Sequence, residues 1–120
     1  MREPKIKPPS KILEIPDQIE IEGVVWKIFR ESNAPNNLKK RGKKLLARGC
    51  YGECFGSHRA IVLSDALQGE HLEETFLHEI LHALFYTCGL YSHLGDELEE
   101  HLIETLDAPM MRVLRSLVWK

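Results

Sequence analysis

Residues 78–82 read His-Glu-Ile-Leu-His. On a helix, positions i and i+4 lie on one face, one turn apart, so the imidazoles of His78 and His82 can bind a single tetrahedral ion. Glu79 stands one residue further round, close enough to reach a water on the metal without being a ligand itself. Zinc lowers the pKa of such a water toward 7, and a neighbouring carboxylate can then take its proton and later pass it to a leaving amine. Average residue usage produces this register by chance in roughly one random chain of this length in a few hundred, so its surroundings decide how much weight it bears.

Those surroundings are favourable. Glu70, Glu73 and Glu74 precede the motif, where a helix dipole favours acids, and Phe76, Leu77, Ile80, Leu81, Leu84 and Phe85 give it an apolar body. Gly89 stands where a C-terminal cap belongs. A second helix is expected from Asp96, with Glu99 three residues on as in a capping box, and with the stripe Leu98, Leu102, Ile103 and Leu106. Pro109 then either kinks this helix or opens another.

Two histidines do not complete a catalytic site, which takes three protein ligands and keeps one position open. Glu97, Glu100 and Glu104 share a face of the second helix, and Glu100 lies between Leu98 and Leu102. A carboxylate turned toward a core needs a cation there, because an unpaired buried charge is costly. Glu100 is the preferred third ligand, with Glu97, His101 and Glu104 as rivals. Glu104 is expected to accept a hydrogen bond from the far nitrogen of a ligand histidine. His58, His71 and His93 read as surface residues, although His93 or Tyr91 could reach the open metal position.

Upstream, residues 18–31 alternate apolar and polar side chains on either side of Gly23, which predicts a strand hairpin. Two more strands are expected near 50–55 and 59–63, joined at Gly56-Ser57, with Gly49, Gly52 and Gly56 pointing to a bulge or a close backbone approach. Residues 33–37 form a loop. Residues 38–48 carry Lys39, Lys40, Arg41, Lys43, Lys44 and Arg48, read as a solvated surface rather than a nucleic-acid patch, since no aromatic residues interleave with them. Pro4, Pro8, Pro9 and Pro16 make 1–16 an extended arm, leaving 17–120 as one domain.

Composition narrows the class further. The chain has 120 residues, is 43% hydrophobic and carries a formal net charge of −2, which fits one domain with a real core and demands neither nucleic acid nor membrane. Three cysteines, Cys50, Cys54 and Cys88, are too few for a disulfide framework and suggest a reducing compartment. Cys50 and Cys54 have no second pair to complete a structural zinc site and read as small strand residues. With no signal-like apolar segment and no run of roughly 18 apolar residues, a cytoplasmic protein is expected.

The stretch Thr75 to Leu90, TFLHEILHALFYTCGL, resembles the motif helix of zincin metallopeptidases. It is most similar to small phage-encoded and bacterial zincin-like proteins, relatives of the ImmA/IrrE and SprT-like groups. Glu100, Ile103, Glu104 and Leu106 match the pattern of their following helix, and the segments IPDQIEIEGVVWKIF and YGECFGSHRAIVLSD look like their upstream strands. The resemblance covers most of 16–118. It implies His78, His82 and Glu100 as zinc ligands, Glu79 as general base, a peptide or protein substrate paired to an edge strand within 50–63, and a phage or prophage source. Pro109 and the basic insert depart from the pattern.

The expectation is therefore an α+β, minimal zincin-like domain: a small, mainly antiparallel sheet packed on the motif helix and a second C-terminal helix. Its expected function is zinc-dependent hydrolysis of peptide bonds. Two alternatives stand beside it: a non-catalytic, zinc-stabilised accessory or protein-binding module, and a protein whose basic run recruits DNA.

Overall fold

The computed structural model describes residues 14–38, 46 and 50–118. It is an α+β fold with a four-stranded mixed sheet. Strands β1 (Gln18–Ile21), β2 (Val24–Arg30), β3 (Gly52–Phe55) and β4 (Ala60–Leu63) are followed by helices α1 (Gly69–Thr87), α2 (Tyr91–Leu94) and α3 (Asp96–Val118). Most of the arm expected over 1–16, and Lys39, Lys40, Arg41, Lys43, Lys44 and Arg48 of the basic run, lie outside the described residues.

The hairpin forms as its alternation predicts. β1 and β2 pair antiparallel across Glu22 and Gly23, both at positive φ as tight hairpin turns demand. The strand order is β1-β2-β4-β3. β3 and β4 pair antiparallel, but β2 and β4 pair parallel, so the expected mainly antiparallel sheet is a mixed one. The reason lies in Ala60-Ile61-Val62-Leu63. All four are buried, and such a run is satisfied only in a central strand covered on both faces. Ile61 and Leu63 join Trp26, Ile28 and Phe76 under α1, while Ala60 and Val62 turn to the other face against Ala34, Leu38 and Leu46. The 33–37 loop is wound into short 3-10 turns at Glu31–Asn33 and Asn36–Leu38.

Helix α1 ends as read: Gly89 N–H donates to Tyr86 O and Leu90 N–H to Phe85 O, which satisfies two of the last carbonyls. The short α2 was not foreseen. α3 runs on through Pro109, so no second helix begins there. Its register against α1 is set by a third cluster in which Ile103 and Met111 meet Leu77 and Leu81. No helix among the described residues is long and apolar enough to cross a membrane.

Candidate metal centre

The α1–α3 contact that buries Ile103 also decides which acids of α3 face the motif. Glu100 lies three residues before Ile103, and Asp107 four after it, so both share the face turned to α1. His78 Nε2 is 3.0 Å from Glu100 Oε1 and His82 Nε2 is 2.9 Å from Glu100 Oε2. One donor atom from each of His78, His82 and Glu100 falls within 4.8 Å of the others, a group able to hold a metal ion.

The far nitrogens are equally occupied. His78 Nδ1 is 3.0 Å from Asp107 Oδ2, and His82 Nδ1 is 2.7 Å from Glu99 Oε2. This corrects two expectations. Glu104 does not orient a ligand histidine, because Asp107 and Glu99 take both far nitrogens, and Glu104 stands exposed. Four residues advance a helix by about 40° beyond a full turn, whereas seven return within about 20° of the starting direction, so Asp107 and not Glu104 shares the azimuth of Glu100. The spacing from Glu100 through Ile103 to Asp107 was the available signal. Glu99 does not close a capping box with Asp96; its backbone N–H bonds Gly95 O while its side chain holds His82. The rivals Glu97 and His101 are exposed and outside the cluster.

The proton count tests whether an ion fits. Four nitrogens face carboxylates. Were all four to donate, both rings would be imidazolium with centroids 5.0 Å apart. Neutral rings protonated at Nδ1 keep the bonds to Asp107 and Glu99 but turn two lone pairs on a carboxylate, which is repulsive unless a cation stands between. Ligand atoms about 2.0–2.1 Å from a tetrahedral ion lie roughly 3.4 Å apart, a few tenths of an ångström beyond the observed separations. The donor set fits a divalent ion.

Glu79 is 6% exposed and lines the cleft beside the triad. Burial pushes its carboxyl up to about 7, against the pull of His78 and His82 and with the help of Glu100 and Glu53. For His78, burial alone would depress the imidazolium. The Asp107 bond and the charges of Glu79, Glu100 and Asp107 outweigh it, so the net shift is upward.

Strand β3 forms the opposite wall. A Cβ on Gly52 would come within 3.0 Å of Thr75 Cγ2 and 3.2 Å of the Glu79 side chain, and one on Gly56 would strike the ring of Tyr86. The close approach expected of these glycines is therefore made to α1, and it lays the sheet edge along the site. Tyr86 stacks on Tyr91, centroids 4.7 Å apart, at one end of the cleft. His58, His71 and His93 are exposed, as expected, and Tyr91 rather than His93 lines the cavity. Cys50, Cys54 and Cys88 are free thiols outside the metal group. Cys50 donates to Gly52 O, and burial pushes the Cys54 thiol up to about 12.

The chain matches no family model, no curated protein and no solved structure.

Proposed function

We propose that this chain is a zinc-dependent peptidase of the zincin type, with His78, His82 and Glu100 as metal ligands and Glu79 as general base. The observation that carries the reading is the convergence of three donor side chains at which both histidines are already oriented by carboxylates, with a further buried carboxylate alongside. A buried carboxylate beside the donors that is not itself one of them is what a general base requires.

Zinc, when bound, supplies a Lewis acid that polarises the scissile carbonyl and eases ionisation of the attacking water. Asp107 and Glu99 hold the two imidazoles with Nε2 turned to the ion. Glu79 accepts the proton of the attacking water and delivers it to the leaving amine, so no proton crosses bulk solvent between the two steps. The cavity over the triad, about 360 Å³, gives room for a peptide segment. Among the described residues β3 has a neighbour in the sheet on one side only, and its other edge can pair with an extended chain through main-chain hydrogen bonds. The zincin-like resemblance, a phage or bacterial source and a cytoplasmic setting belong to the same proposal.

The test is metal content by mass spectrometry on protein purified without chelator and supplied with zinc, together with a peptide-library cleavage assay. Wild type and Glu79→Gln are expected to carry about one zinc per chain, and Glu100→Ala to lose it. Only wild type should cleave. A wild type that binds no zinc ends the metallopeptidase reading. A zinc-loaded wild type as inert as Glu79→Gln leaves a zinc-stabilised binding module.

A further inference from the structure

A second cavity of about 420 Å³ adjoins the first, and both are lined by Gly52, His78, Glu79 and Glu100. They are the two halves of one cleft that straddles the triad. The first half extends to Tyr86, Tyr91 and Asp96, the second to Tyr51, Glu74 and Glu104. Glu79, Glu99, Glu100 and Asp107 are engaged by the metal centre. Glu53, Asp96, Glu74 and Glu104 stand around it in addition, all exposed, and no lysine or arginine among the described residues lines either half.

Charge alone would define no ligand. Each half, however, also presents an aromatic ring that the fold does not cover. Tyr91 is 44% exposed and backed by Tyr86, and Tyr51 is 50% exposed with its ring set against His71. A half-exposed ring and a carboxylate lining one cavity match a long basic side chain: the aliphatic stem lies on the ring, the cation meets its face or edge, and the head reaches the acid. One divalent ion against four engaged carboxylates leaves the centre negative, and a cleft of one sign concentrates ligands of the other.

We propose that the cleft selects cationic peptides, with a lysine or arginine on each side of the bond placed at the triad. One is received by Tyr91 and Asp96, the other by Tyr51, Glu74 and Glu104. This inference rests on the proposed peptidase site and adds its substrate class.

The test uses full-length, zinc-supplied Glu79→Gln protein and three fluorescent alanine-based heptapeptides that differ only in carrying lysine, glutamine or glutamate at two positions flanking a central bond. Binding is followed by anisotropy in low salt. The lysine peptide is expected to bind about tenfold more tightly than the glutamine peptide, and the glutamate peptide more weakly still. The gap should shrink with added salt, and on adding Asp96→Asn, Glu74→Gln and Glu104→Gln together. Equal affinities, no binding of any peptide, or a preference undiminished by the triple neutralisation overturns the proposal. Wild-type cleavage of the same peptides separates it from the reading beneath it. Preferential binding without cleavage defeats hydrolysis and keeps the cationic ligand, whereas cleavage without charge preference does the reverse.

Discussion

Helices α1 and α3 enclose two groups of charged side chains, and the two are built on opposite principles. At one, Glu73 is 2% exposed and stands 3.8 Å from Arg115 Nη2, with Glu70 3.8 Å from Nη1 of the same guanidinium. The chain supplies both signs there. At the other, Glu79, Glu99, Glu100 and Asp107 surround His78 and His82, and no lysine or arginine among the described residues lines the cavities. A buried charge needs a counter-charge wherever it lies. Where the chain provides one, the cluster fastens two helices. Where it provides only acids and imidazoles, the positive charge is either a proton on an imidazole or an ion from outside, and the proposed site takes the ion.

The largest expected contrast comes from Arg115→Ala. Removing a cation that faces a buried carboxylate should cost about 3 kcal/mol in chemical denaturation, yet leave zinc content unchanged. If zinc is lost along with stability in material that is still folded, the two clusters are not independent.

The pH response sharpens the same contrast with a smaller effect. In zinc-free protein Glu79 is raised from 4.5 to about 7 and His78 is raised as well, so the native state holds more protons than the unfolded chain. The stability these groups contribute is complete below their unfolded values and is lost as pH climbs through their folded ones. Melting temperature of the zinc-free protein should therefore fall between about pH 5 and pH 8. Zinc should reverse the trend, because the ion competes with protons for the same nitrogens. A zinc-free melting temperature that rises over this range contradicts the assignment of Glu79 as a buried carboxyl.

A finer probe is Asp107→Asn or Glu99→Gln. Losing a carboxylate behind a ligand histidine weakens metal binding by roughly 10–100-fold, without abolishing it. Competition with a zinc chelator reads this directly. Glu104→Gln, which sequence reasoning had placed in that role, should leave affinity where it was. A large loss in Glu104→Gln and none in Asp107→Asn would restore the sequence-based assignment.

What was legible in the sequence is what depends on neighbours in the chain. The register of His78, Glu79 and His82 follows from helical spacing alone. So do the hairpin around Gly23, the glycine exit of α1 at Gly89 and the start of α3 at Asp96. Glu100 was reached in the sequence by an argument from burial, yet its side chain is 46% exposed, and what groups it with His78 and His82 is its position on the face of α3 turned to α1. The rest waited on packing. β4 had to be found between β2 and β3, because burial of both its faces is a property of the sheet and not of the segment. The choice of Asp107 over Glu104 depended on the rotation of α3 about its own axis, which Ile103 and Met111 set by docking on Leu77 and Leu81. Glu99 reads from the sequence as a cap, and only the docking of α1 opposite it makes it the partner of His82. Spacing along the chain determines which side chains can act together; the azimuth at which one helix meets another decides which of them do.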